Sequence, residues 1–411
     1  MSITVRAADA AQFLSLVPRL LGFTPTRSLV LVPMSGGRSL GAMRMDLPPE
    51  AGAVSAHPAP SEAPEGAAGR IDAVASSAVG MLCRIPDAEA LVAVVYTDAS
   101  IADAADLPGA TVIAALAVKA DACGLRLIDA LTVAADGWAS HDDPDLPPGG
   151  RPLTELRLRA PVVSGSRGAQ KRSRSGLGTG DPVAEDLGPA PDGDQSSGAA
   201  LPAVPRAARK AVGVALRSLG SSLEVICGIP AVGGRVGRID PAALEAACAL
   251  DDLPALYEQA LTWHPSDEPM HAAMLGWCLQ RPSLRDIALV QWATDEGGGD
   301  VAMEAQRRWE DGEEYPADLA SVMWGEGPRP DPERIERALA LVREVAALLP
   351  TAQRPGPLAL CAWLSWALGR SSHADRYASM ALFLDPHHGL ADIVRSFAAA
   401  GHLPDWAFRM R

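Results

Sequence analysis

Six residues separate a helix that must stop from a strand that must be buried, and this junction constrains the fold more than any other feature of the chain. Phe13, Val17, Leu20 and Leu21 recur at helical spacing behind Asp9 and Gln12, which resemble a capping box. Pro18 lies inside that helix and removes the hydrogen bond to Leu14, so a kink or break is expected there. Gly22 suits the left-handed position that closes a helix, Phe23 can fold back on the last turn, and Pro25 prevents continuation. Ser28-Leu29-Val30-Leu31-Val32 follows as an apolar run of strand length with no polar face, as expected near the centre of a sheet covered on both sides.

The pattern continues in the same manner. Gly36-Gly37 marks a turn, after which Met43, Met45 and Leu47 alternate with Arg44 and Asp46 as in a half-exposed strand. Residues 48–69 read as a Pro/Ala/Gly loop, Ile71, Val74, Val79 and Leu82 as one side of a helix, and Leu91 to Tyr96 as a second buried strand. An apolar helix over about 110 to 122 precedes Leu125–Val133, and Asp136-Gly137 offers a tight turn into Trp138. Alternating β and α signals predict an α/β domain over 1–163, a mixed sheet with covering helices.

From 164 to 205 the composition changes to Gly, Ser, Pro and charge, which predicts a disordered linker. Beyond it, over 206–411, nearly everything reads as helix: Pro241–Ala249, Leu253–Thr262, Met270–Gln280, Ser283–Thr294, Pro332–Leu349, Leu358–Leu368 and Ala374–Leu384. Trp263, Trp277, Trp292, Trp309, Trp324, Trp363 and Trp366 fall in this all-α part and are expected to knit its helices together.

Several function classes are disfavoured by composition. A net charge of -14 repels phosphate backbones, so nucleic acid is not an expected partner. The longest apolar runs, Ala110–Val118 and Pro357–Leu368, are too short to span a bilayer, and the first residues lack a secretory pattern, so a cytoplasmic protein without membrane contact is expected. Cysteines 83, 123, 227, 248, 278 and 361 are scattered without ligand spacing, which argues against a disulfide framework or zinc site; most are expected to pack as small core residues.

No catalytic, metal or cofactor motif emerges. Gly37-Arg38-Ser39-Leu40-Gly41 has the spelling of a nucleophile elbow, but strand alternation follows Ser39 where a helix is required, leaving a hairpin turn. Gly176-Leu177-Gly178-Thr179-Gly180 has no preceding strand and no P-loop lysine after it, and the basic knot Lys171-Arg172-Ser173-Arg174 is offset by nearby acids. His264 and His271 do not form a ligand pair, His387-His388 suit a cap or surface, and Arg285-Asp286 suit capping or an inter-helix ion pair. The candidate ligand site is therefore Tyr96, Thr97 and Asp98 at the end of the second buried strand, with Asp129 as a second carboxylate inside an apolar strand; the bland alternative has Asp98 or Ser100 capping the next turn.

The opening Leu20-Leu21-Gly22-Phe23-Thr24-Pro25…Ser28-Leu29-Val30-Leu31-Val32 resembles that of an actinobacterial family known only as domain of unknown function 4192. Arg285-Asp286 after Pro282-Ser283-Leu284 is similar to the same family, as is Gly369…Ala374…Ala381-Leu382…Asp385-Pro386…His388…Leu390-Ala391. Arg27 departs from the acidic residue associated with that place. The resemblance implies bacterial cytoplasmic origin and architecture, and no reaction. The C-terminal run also resembles one tetratricopeptide unit at 357–386, with Gly369 in the turn and small Ala374 and Ala381 where helices approach closely. The expectation is a non-enzymatic cytoplasmic binding or regulatory protein whose helical half engages a protein partner. The alternative is a small-molecule hydrolase or transferase with its site at the strand ends.

Overall fold

The computed structural model describes residues 5–7, 9–49, 64–158, 162–163, 191, 193–228 and 240–408. The chain divides into two compact units, 1–198 and 199–411. The glycine-rich stretch 176–180 and the basic knot 171–174 lie outside the described residues.

In the first unit, β1 (Val5–Arg6) leads to α1 (Ala10–Leu21). The Asp9 carboxylate caps α1 by accepting from the Gln12 amide, and Gly22 closes it at φ 80° with its N–H on the Pro18 carbonyl. The expected break at Pro18 does not occur; the helix runs on to Leu21. Its inner face is Ala11, Leu14 and Val17, while Leu20 is 48% exposed, so the apolar stripe is rotated from the expected one.

The sheet is mixed. β2 (Ser28–Ser35) pairs antiparallel on one side with β3 (Arg38–Ser39) and β4 (Met43–Asp46), and on the other with β5 (Ala90–Tyr96). Gly36 and Gly37, at φ 53° and 76°, make the hairpin between β2 and β3. α2 (Pro64–Leu82) connects β4 to β5 and begins earlier than the expected loop allowed. α3 (Ala110–Ala122) connects β5 to β6 (Arg126–Val133), which is parallel to β5, and β7 (Trp138–Ser140) turns back along β6. α4 (Glu155–Leu158) and β8 (Val162–Val163), antiparallel to β1, complete this part.

Strand alternation builds two cores. Leu29, Leu31, Leu91, Ala93 and Val95 face Ala75, Ala78, Leu82, Val112 and Leu116 of α2 and α3. Val30, Val32, Val92, Val94, Tyr96 and Trp138 face Leu14 and Val17 of α1. Buried Ser28 is satisfied: it donates to the Thr26 carbonyl at 2.7 Å and accepts from Arg44 Nε at 2.7 Å. Within the stretch expected to be linker, Asp194 caps a turn at Ser196 and Ser197, and Gln195 exchanges hydrogen bonds with Thr26 at 2.9 and 3.0 Å; that end of the stretch is structured.

The second unit is helical throughout its described residues. α5 (Arg206–Ile226), α6 (Pro241–Ala249), α7 (Leu253–Ala260), α8 (Pro269–Leu279), α9 (Pro282–Ala293) and α10 (Glu296–Glu310) are followed by α11 (Ala317–Met323), α12 (Pro332–Leu348), α13 (Pro355–Ala367), α14 (Ser371–Leu384) and α15 (Gly389–Ala399). Trp292, Trp363 and Trp366 are fully buried and join Trp406 and Tyr257 in the core. Trp309 departs from expectation at 55% exposed, whereas Trp324, 49% exposed, still packs edge-on against Phe397 of α15. Cysteine placement departs as well: only Cys278 and Cys361 are buried, and the other four are exposed. No helix among the described residues is long and apolar enough to cross a membrane.

Candidate functional site

β5 and β6 run parallel, so their carboxyl ends form the edge where open α/β sheets usually hold ligands. Tyr96 ends β5 but turns into the α1-side core, where burial pushes its hydroxyl pKa well up. Thr97 is buried, and its hydroxyl accepts from the Ala99 amide at 3.1 Å, closing a local turn. Asp98 stands in solvent opposite Arg27, 3.7 Å apart with both side chains 77% exposed. Asp129 is not with them. It pairs in register with Val92, four positions before Tyr96, and its carboxylate accepts from the Ser140 hydroxyl at 2.8 Å. That separation is on the order of 13 Å along the strands, so the two carboxylates share no site.

The group that organises this edge is Asp136, which the sequence presented only as a turn residue. It accepts from the Ser100 hydroxyl at 2.7 Å and from the amides of Ile101 and Ala102 at 2.8 and 3.1 Å. Burial pushes its carboxyl upward, but these donors outweigh burial and hold the pKa down at about 2. The expected Ser100 cap exists: its hydroxyl accepts from the Asp103 amide at 3.2 Å while donating to Asp136.

On β6, Thr132 is fully buried and donates to the Pro108 carbonyl at 2.9 Å. A hydroxyl has one proton, so its 2.9 Å contact with His141 Nε2 requires that nitrogen to be the donor. Neutral His141 therefore carries its proton on Nε2 and leaves Nδ1 basic; burial lowers its pKa, against the opposing charges of Asp142 and Asp129. Ser140 lies opposite Leu131 and His141 bonds back to Ala130, so the Asp129–Ser140 and Thr132–His141 pairs occupy opposite faces of the sheet.

The remaining sequence candidates resolve into structural roles. Ser39 is exposed in the short strand after the hairpin. His271 stacks on Trp263 with centroids 3.8 Å apart. His388 caps α15 by accepting from the Ala391 amide at 3.4 Å. Arg285, 6% exposed, holds Asp286 through Nε and Nη2 at 2.9 and 2.8 Å, and burial raises the Asp286 pKa. Burial and then the Arg285 charge lower the His388 pKa. Among the described residues no group of three or more His, Cys, Asp or Glu is placed to hold a metal.

The helical unit also carries a groove of about 410 Å³ between α13, α14 and the chain at Leu201. Leu201, Leu358, Met380 and Leu384 line it, with Arg354 and Arg376 beside them. Arg376, Ser379, Met380 and Phe383 follow helical spacing along one stripe of α14, and Phe383 is 86% exposed. Arg354 is steadied by the carbonyls of Leu349 and Ala347, at 3.0 and 3.3 Å. The sequence held one signal for this site: Phe383 falls on the side of α14 opposite Ala374, Ala378 and Ala381, which are buried.

A family model described as Domain of unknown function (DUF4192) matches residues 11–317. The matched span includes Leu20–Val32 and Arg285-Asp286 and ends before Gly369–Ala391. No curated protein and no solved structure matches the chain.

Proposed function

Since the chain belongs to the family described as Domain of unknown function (DUF4192), whose description supplies no reaction, we propose on physical grounds that it is a cytoplasmic binding or regulatory protein whose helical unit engages a protein segment. The observation that carries this reading is Phe383, 86% exposed at the lip of the groove between α13 and α14. An isolated exposed apolar residue is unremarkable, but one beside an apolar groove is arranged as a contact surface. The tetratricopeptide-like helix pair at 357–386 supplies the α14 wall and Leu358, with Leu201, Thr351 and Arg354 completing the lining, and helix-walled grooves of this kind take peptide segments by apolar anchors. Arg354 and Arg376 favour a segment with a carboxylate near its anchor.

The hydrolase or transferase reading has less behind it, because Asp98 and Asp129 lie apart and each has a structural partner. The test is affinity purification from a native host with the wild type, Phe383→Asp and Arg376→Glu. A partner retained by the wild type and lost by both variants, whose circular dichroism is unchanged, is the expected result. Equal capture by all three removes the groove from consideration.

A further inference from the structure

We infer that Cys83 and Cys123 form a dithiol site that closes reversibly to a disulfide, tying the end of α2 to the end of α3. The two cysteines are 40 positions apart in sequence and carry no motif. The topology brings them together. β4 is antiparallel to β2 and β2 to β5, so β4, β5 and β6 all run one way and the connecting helices α2 and α3 both run the other. Cys83 directly follows α2, with its amide on the Val79 carbonyl at 2.9 Å, and Cys123 is the C-cap of α3. The helices pack through Ala75, Ala78 and Ala120, small residues that let them approach closely, and Lys119 of α3 reaches Asp72 of α2 at 2.8 Å. Cys123 is a near enough neighbour of Cys83 to act on its thiol, and both residues are exposed, so a soluble oxidant has access.

With a low-molecular-weight disulfide such as glutathione disulfide as oxidant, one thiolate attacks a glutathione sulfur, breaks its S–S bond and releases one glutathione thiolate, which takes up a proton. The neighbouring cysteine then loses its proton and attacks the mixed disulfide, releasing the second glutathione. Two protein thiols are oxidised and one glutathione disulfide becomes two thiols. Cys83 directly follows the C-terminus of α2, where the dipole disfavours a thiolate. Burial and the adjacent Cys123 raise the Cys83 pKa in the same direction. Closure is therefore expected to accelerate as pH rises. Because the Cys83 thiol gains nothing from ionising in the reduced state, the closed form behaves as a stabilising clamp and not as an oxidant.

The test uses the full-length protein, incubated with glutathione disulfide, alkylated and digested with trypsin for mass spectrometry. Exposed Cys227 and Cys248 serve as internal controls. The expected product links peptides 71–84 and 120–126 through Cys83 and Cys123, disappears with dithiothreitol, and raises the thermal midpoint over the reduced form. Cys227→Ser should retain the link and the shift; Cys123→Ser should lose both and leave glutathione on Cys83. Recovery of Cys83 and Cys123 each carrying its own glutathione, as Cys227 and Cys248 do, overturns the inference. So does a link from either to any other cysteine.

Discussion

Arg334 holds Glu258 through both terminal guanidinium nitrogens across 76 residues of chain, on the same carboxylate that accepts from Gln291 Nε2 at 3.2 Å. The Gln291 amide also donates to the Pro254 carbonyl at 2.8 Å, so α7, α9 and α12 are joined by one polar knot. The Arg334 side chain is only 12% exposed, which makes loss of its partner expensive. Glu258→Ala should destabilise the protein by about 2 kcal/mol in urea unfolding, and adding Arg334→Met should recover part of that loss. Arg334 holds the Glu258 pKa below its ordinary 4.5, so this stabilisation is present above 4.5 and disappears as pH falls through the lower folded value. An unchanged urea midpoint in Glu258→Ala would show that the knot contributes nothing.

Asp136 should control the mobility of the 100–102 turn. Its folded pKa of about 2 lies below the ordinary 3.8, so its contribution is intact above 3.8 and is lost between 3.8 and 2. Asp136→Ala should speed amide exchange at Ile101 and Ala102 by at least an order of magnitude while leaving β5 amides protected, since only the turn depends on those bonds. Exchange rates matching wild type at both amides would remove Asp136 from this role.

How much of this was legible from sequence depended on whether the deciding contact was local. The α1 cap, Gly22, the buried strand at Ser28 and the Gly36-Gly37 hairpin follow from neighbours within four residues, and each is where the residues indicate. α10 did not announce itself, because Gly297, Gly298 and Gly299 carry poor helix propensity. A Cβ on Gly299 would sit 2.2 Å from Gln291 Oε1 and one on Gly298 2.0 Å from Thr294 Oγ1, so those two glycines let α10 start close against the end of α9. The stripe of α1 was misjudged at Leu20 for a similar reason: which face is inner depends on the sheet it covers. At the candidate site, Asp129 stood out as a carboxylate in an apolar strand, and its partner Ser140 is across a strand pair that no local pattern reveals. Asp136 and His141 were overlooked because their bonds cross from one strand end to another loop.

Gly356 fixes the approach of α13 to α8. A Cβ built there would lie 2.1 Å from the Leu279 carbonyl oxygen, and backbone cannot rotate aside as a side chain can. Gly356→Ala should therefore destabilise the helical unit by about 3 kcal/mol despite its gain in helix propensity. Gly220→Ala, with no atom within 4 Å of the new Cβ, is the matched control and should be neutral or slightly stabilising. Equal thermal midpoints for the two variants would contradict the close approach.

His141 offers a test of proton placement at the end of β6. Thr132 commits its only proton to the Pro108 carbonyl, so nitrogen NMR should find neutral His141 protonated at Nε2. Its pKa should lie below 6.5, since burial outweighs Asp142 and Asp129. The sign follows from linkage: the unfolded chain takes up this proton first, so the histidine lowers stability as pH falls from 6.5 through the folded value and has no effect above it. Thr132→Val keeps the shape but strands both the Pro108 carbonyl and the His141 N–H, at a loss of about 2 kcal/mol. If the ring instead carries its proton on Nδ1, Thr132 must be the donor to His141, the Pro108 bond must be absent, and the valine variant should be nearly neutral at that carbonyl.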